Sequence, residues 1–180
     1  MTDSVTKGAE LPSLITARIR DILDYPKPGV VFKDITPLLG DGAAFCAVVD
    51  GLAASYRDLD KVAGIEARGF ILAAPVACRL GAGFVPVRKK GKLPAATYSE
   101  DYELEYGTAT IEVHKDAFAP TDRVLIVDDV LATGGTARAT VDLVQRSGAT
   151  VAGIAVLIEL SFLSGREKLP DLPVSALLTI

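Results

Sequence analysis

The sequence is poor in the residues that build metal centres and disulfide frames. It has two cysteines, Cys46 and Cys78, and one histidine, His114, among 180 residues. Two cysteines cannot make a disulfide scaffold, and their spacing matches no metal-ligand pattern. Each lies in an apolar stretch, so two reduced core thiols are expected. His114 shares parity with Thr110 and Glu112 on an alternating segment, and all three are expected to face outward. That favours a structural or solvent role for the histidine over a catalytic one. No apolar run approaches the roughly 20 residues of a membrane span. The longest, Phe70 to Cys78, stops at Arg79. Met1 to Glu10 is polar and lacks an apolar h-region, so no secretory signal and a cytoplasmic location are expected. Positive charge is in deficit: 19 Lys+Arg stand against 23 Asp+Glu, a net −4, which argues against a nucleic-acid binder. Any polyanionic ligand must meet a local basic patch.

Repeats, low-complexity tracts and a clear linker are also absent, so residues 1–180 are expected to form one domain. A content of 49% hydrophobic and 23% charged residues suits a globular chain rather than a disordered one. Residues 1–12 read as a loose tail. Ile15, Ile19, Ile22 and Leu23 recur at helical spacing and predict a helix over about 13–24, ended by Pro26, Pro28 and Gly29. Residues 29–37 read as extended and irregular, and a second helix is expected over about 41–56. Short apolar strands then follow at 62–65, 84–87, 124–127, 151–158 and 174–180. They alternate with helices at 70–80 and about 136–147. This alternation predicts an α/β fold with a central parallel sheet of about five strands, covered by helices on both faces. Residues 88–115 interrupt it, and 95–104 with the alternating 108–113 predict an antiparallel flap or lid.

The strongest chemical signal runs from Val124 to Thr136, Val-Leu-Ile-Val-Asp-Asp-Val-Leu-Ala-Thr-Gly-Gly-Thr. A buried strand delivers Asp128 and Asp129 to its C-terminal end, where open α/β sheets bind ligands. The turn Ala132, Thr133, Gly134, Gly135 and Thr136 leads into a helix. Its glycines let backbone N–H groups close around an anion, and the helix N-terminus favours negative charge. The result is a phosphate cradle beside two carboxylates suited to sugar hydroxyls or a divalent cation. The Gly-Lys-Ser/Thr of a P-loop is missing, and so is Gly-x-Gly-x-x-Gly.

This run resembles the signature of the type I phosphoribosyltransferases, which bind 5-phosphoribosyl-1-pyrophosphate (PRPP). The resemblance implies Asp128 and Asp129 at the ribose hydroxyls and residues 132–136 around the 5′-phosphate. Four further blocks occur in order: Pro28 to Leu39, Glu66 to Phe70, Arg88 to Pro94, and Leu104 to Gly107. Together they are similar to the adenine-using members of that family over about residues 14–180.

The resemblance implies a pentosyltransferase with a Rossmann-like sheet, an N-terminal base-binding segment and a lid. It transfers the phosphoribosyl group of PRPP to N9 of adenine, giving AMP and pyrophosphate, with Mg²⁺ carried mainly by PRPP and reached through water by Asp128 or Asp129. Phe32 is a natural stacking platform for a purine. The matching family position stacks on adenine, with the Val31 backbone at its hydrogen-bonding edge, Val130 on the other ring face and Lys33 nearby. Arg68 and Gly69 suit the pyrophosphate. The family has an unusual, often cis, peptide at the position of Glu66-Ala67. Arg88, Lys89, Lys90 and Lys92 put four cations within five residues. Arg88, Lys89 and Lys92 are expected at pyrophosphate, with Arg88 serving the neighbouring subunit of a homodimer. Glu105 and Tyr106 fall in the lid, Glu105 as acid/base or as a stabiliser of positive charge. A transferase for another purine and a non-catalytic PRPP-binding regulator are the alternatives.

Overall fold

The computed structural model describes residues 3–103 and 107–180. The chain packs as two compact units, Met1–Gly51 and Leu52–Ile180.

The first unit opens with helix α1 (Asp3–Thr16), so residues 3–12 are helical rather than a loose tail. A polar stretch has no apolar period to announce a helix, and Pro12 reads as a breaker although it lies inside one. The helix expected over 13–24 is replaced in its second half by strand β1 (Arg20–Leu23). This strand pairs antiparallel with β2 (Val31–Asp34), setting Ile22 opposite Phe32 and Leu23 opposite Val31. Of the supposed apolar stripe only Ile15 is fully buried, whereas Leu23 is 71% exposed. The intervening turn decides the outcome. Gly29, at φ +85°, donates its N–H to Asp24 Oδ1 at 2.8 Å and folds the chain back. The helix expected over about 41–56 is present as α3 (Gly42–Ala53), and a short helix the sequence did not announce, α2 (Thr36–Gly40), precedes it where the extended stretch was expected to end. Asp41 separates them by accepting the N–H groups of Ala43 and Ala44, each at 3.1 Å, as an N-terminal cap does.

The second unit holds a seven-stranded sheet in the order β5-β6-β4-β3-β7-β8-β9. Five strands are parallel: β3 (Lys61–Ile65), β4 (Gly83–Lys89), β7 (Arg123–Leu131), β8 (Thr150–Glu159) and β9 (Val174–Thr179). The antiparallel flap is present as β5 (Thr97–Glu103) and β6 (Thr108–His114), attached at the β4 edge. Helix α4 (Arg68–Leu80) links β3 to β4, and α5 (Gly135–Arg146) links β7 to β8. These crossovers step in opposite directions from the sheet centre. Right-handed connections therefore put the two helices on opposite faces. One core joins Ala63, Ile65, Val87, Ile126 and Val156 of the sheet to Val141 and Leu143 of α5. On the α4 side the approach is tighter. A Cβ on Gly64 would lie 2.6 Å from Ala73 Cβ and 2.8 Å from Phe84 Cε2.

Two expectations fail here. Cys46 and Cys78 are exposed, not core thiols. Helix α4 buries Leu72, Ala73, Val76 and Ala77, and Cys78 lies on the opposite stripe with exposed Ile71. Nor do Glu112 and His114 face outward. Glu112 is 8% exposed and His114 Nε2 is buried. Strand β6 is not the outer half of a two-stranded flap but lies between β5 and β4. The turn after β4 also covers it, with Gly91 N–H donating to Glu112 Oε2 at 2.9 Å.

Candidate active site

Strand β7 runs past the expected apolar core to Leu131, so Asp128 and Asp129 lie in its C-terminal half rather than beyond its end. Ala132 to Gly134 then turn the chain into α5. Gly134 sits at φ +78°, a left-handed conformation that favours glycine. Asp128, Ala132, Thr133, Gly134, Gly135 and Thr136 line one pocket, with Val130 at its side. The first N–H groups of α5 have no partner within the helix, and its dipole is positive there. The turn is therefore built to receive an anion.

The two carboxylates differ. Asp128 Oδ1 accepts the N–H of Asp129 at 2.8 Å. Burial, then repulsion from Asp129, pushes the Asp128 carboxyl well above its ordinary range. Burial also raises Asp129, against the pull of the Arg68 guanidinium. Arg68 Nη2 lies 2.6 Å from Asp129 Oδ2, an ion pair without the alignment of a hydrogen bond. Arg68 opens α4 directly after a cis peptide between Glu66 and Ala67, where the family resemblance places one. Gly69 is required next to it. A Cβ there would stand 2.7 Å from Asp128 Oδ1 and 3.1 Å from the Val127 carbonyl oxygen. The start of α4 thus rests against the carboxylate strand, with Arg68, Gly69, Asp128, Asp129 and the glycine turn gathered at one end of the sheet.

The basic cluster lies at the end of β4 and in the turn that follows. Arg88 Nε donates to Glu66 Oε2 at 3.3 Å, and the Lys89 N–H donates to the same oxygen at 2.9 Å. Burial works to raise the Glu66 carboxyl, but the Lys89 amide and the Arg88 guanidinium hold it below its usual value. Arg88 also donates to the Lys92 carbonyl at 3.2 Å. Lys89, Lys90 and Lys92 are exposed.

In the first unit, Val31 is 43% exposed and Phe32 is half-buried, its ring 5.2 Å from that of Tyr25 in an edge-on contact. Lys33 Nζ pairs with Asp21 Oδ1 at 2.7 Å. Thr36 and Arg20 donate to Asp34 and lower its carboxyl to about 2. Glu105 and Tyr106 lie outside the described residues.

The sequence reading missed Glu66 as the partner of Arg88, and Gly165, whose backbone abuts the glycine turn. Glu66 was visible as a charged neighbour of Arg68. Gly165 carries no local signal, because its constraint comes from a turn far away in the chain.

A parallel sheet with a glycine turn and a carboxylate pair at one end defines a class. A family model described as a phosphoribosyl transferase domain matches residues 39–173, and the chain belongs to that family. Over 175 residues it is 62% identical to the adenine phosphoribosyltransferase of Thermobifida fusca (strain YX), covering 96% of this chain and 99% of the relative. Its fold is similar to the crystal structure of adenine phosphoribosyltransferase from Rhodothermus marinus DSM 4252. The TM-score is 0.92, identity is 52%, and 96% of this chain and 99% of the other are covered. The Saccharomyces cerevisiae adenine phosphoribosyltransferase, solved with an imino-altritol bisphosphate and adenine, matches with TM-score 0.88 at 34% identity, covering 94% and 99% of the two chains.

Proposed function

We propose that this chain transfers the 5-phosphoribosyl group of PRPP to N9 of adenine, releasing AMP and pyrophosphate. The observation that carries the reading is the carboxylate pair beside the glycine turn, with Arg68 against Asp129. Residues 132–136 take the 5′-phosphate on backbone N–H groups. Asp128 and Asp129 take the ribose 2′- and 3′-hydroxyls, which supply the donor that the buried Asp129 Oδ2 lacks. Arg68, Gly69, Arg88, Lys89, Lys92 and Tyr106 hold the pyrophosphate side. Binding turns Arg68 from Asp129 toward the diphosphate, and the hydroxyls replace it. Val31 and Phe32 hold adenine through the backbone and the ring face, and the family resemblance assigns Val130 to adenine as well. Lys33 supports that segment through Asp21. The transition state carries positive charge on the ribose, so the protein's work is positioning and charge stabilisation, with Glu105 the acid/base candidate.

Among the described residues no group of three or more His, Cys, Asp or Glu could hold a metal ion. The oxygen donors that are present, the Asp128 and Asp129 carboxyl groups, would suit a hydrated Mg²⁺ brought in on the diphosphate. When bound, that ion neutralises charge on the leaving group. The reading includes a homodimer, which the exposed apolar stripe of α4 at Ile71, Ala74 and Cys78 supports. It also includes a cytoplasmic location; among the described residues no helix is long and apolar enough to cross a membrane.

The test is product identification. The protein, PRPP, Mg²⁺ and adenine should yield AMP and pyrophosphate in equal amounts, and chelation of Mg²⁺ should stop the reaction. Tight PRPP binding with no product from any purine would replace the transferase by a PRPP-binding regulator.

A further inference from the structure

The turn that carries residues 132–136 has no side-chain cap of its own: Gly134 occupies the N-cap position of α5 without one. Something else must hold its N–H groups in place, because a left-handed glycine is free to move. Behind the turn lies the connection from β8 to β9, two short 3-10 turns at Ser161–Leu163 and Gly165–Lys168. Its contact with the turn is backbone against backbone. A Cβ on Gly134 would come within 2.2 Å of the Gly165 carbonyl oxygen. A Cβ on Gly165 would come within 2.2 Å of the Ala132 carbonyl oxygen and 3.1 Å of the Gly134 nitrogen. Neither residue has room for any side chain.

The connection is itself anchored. Glu159, at the end of β8 and only 7% exposed, receives Arg166 in a two-pronged pair. Nε meets Oε1 at 2.5 Å and Nη2 meets Oε2 at 2.7 Å. The remaining arm of Arg166 donates to the Val174 carbonyl of β9 at 2.8 Å. The Leu160 N–H donates to the Leu131 carbonyl at 2.9 Å, tying the start of the connection to the end of β7. Leu169 closes the far end in the core at 3% exposure. A guanidinium fork clamps two strands, and the glycine next to it presses on the turn.

We propose that Gly165 and the Glu159–Arg166 pair are positioning residues that brace the phosphate-binding turn from behind. Loss of the brace then weakens the hold on the 5′-phosphate and leaves base recognition alone. This rests on the assignment of residues 132–136 to the 5′-phosphate. That phosphate is bound alike in the ground and transition states, so the defect belongs in KM and not in kcat.

The test compares Gly165→Ala, Arg166→Ala, Arg166→Lys and Glu159→Gln. Calorimetric titration with ribose 5-phosphate is run beside kinetics with PRPP and adenine. Gly165→Ala and Arg166→Ala should weaken ribose 5-phosphate binding and raise KM for PRPP by about tenfold, with kcat and KM for adenine within about twofold. Arg166→Lys keeps the charge but loses the fork, and should fall between wild type and Arg166→Ala. Should Gly165→Ala not fold, Glu159→Gln preserves shape and should show the same split in milder form. Lower melting temperatures with unchanged ribose 5-phosphate affinity in every folded variant would overturn the brace. A wild type that binds ribose 5-phosphate but makes no AMP would sink the adenine reading, while the titration still decides the brace. A wild type that binds no ribose 5-phosphate would overturn the brace itself.

Discussion

Asp128 shows what the site costs the fold. Burial and the Asp129 charge raise its carboxyl well above 3.8, so just above pH 3.8 the folded chain still holds a proton that the unfolded chain has released. Between 3.8 and that raised value, stability therefore falls as pH rises. Asp128→Asn should accordingly melt higher than wild type at pH 8, and the gain should shrink as pH is lowered toward 3.8. The amide oxygen can still accept the Asp129 N–H. The same variant should lose about a hundredfold or more in AMP formation, because an amide holds the ribose hydroxyls less well than a carboxylate. Melting curves across pH, read beside initial rates, check both halves. Arg68 is the counterpart. Arg68→Ala leaves the buried Asp129 without its cation and should cost about 1–3 kcal/mol in a urea titration. Adding Asp129→Asn should recover part of that loss, as partners in contact are not additive.

Among the elements, two glycines separate packing from chemistry. Gly64 lets α4 close on the sheet, with Ala73 and Phe84 filling the place of its Cβ. Gly64→Ala should lower the urea midpoint by the equivalent of about 1–3 kcal/mol and leave kcat/KM per folded molecule unchanged. Gly69→Ala puts its methyl against Asp128 Oδ1 and the Val127 carbonyl, so KM for PRPP should rise as well. Kinetics at matched folded fractions separate the two. The strands of the second unit were legible because Val62 to Ile65, Val124 to Val127 and Val151 to Ile158 are apolar runs bounded by turns. The β1–β2 hairpin was not, since Ile15, Ile19 and Ile22 fit a helical period by coincidence and pairing with β2 overrode it. Parity placed Glu112 and His114 on the same face but could not say that the turn at Gly91 covers it. The site divides the same way. Asp128, Asp129 and the glycine turn form one continuous stretch and were legible. The Arg68–Asp129 pair and the Gly134–Gly165 contact join distant segments and emerge only on folding.

At the scale of the whole molecule, a homodimer with shared sites makes a specific demand. Arg88→Ala and Glu105→Gln subunits should each be nearly inactive alone. If Arg88 serves the neighbouring site, mixing and re-annealing them should restore about a quarter of wild-type activity. Half of the dimers are then mixed, with one intact site in each. Absence of recovery, with mixed dimers demonstrated, would confine Arg88 to the site of its own chain, where it already meets Glu66 at 3.3 Å. At this scale the chain's work is to join adenine to PRPP. The most direct measurement is kcat/KM with PRPP and Mg²⁺ for adenine, hypoxanthine, guanine and xanthine in parallel. Adenine should give AMP and, for each oxo-purine, kcat/KM should be lower by about 10³-fold or more, because a site matched to a 6-amino edge leaves groups unpaired against a 6-oxo one. Faster turnover of any oxo-purine would contradict the assignment of Val31 and Phe32 to adenine.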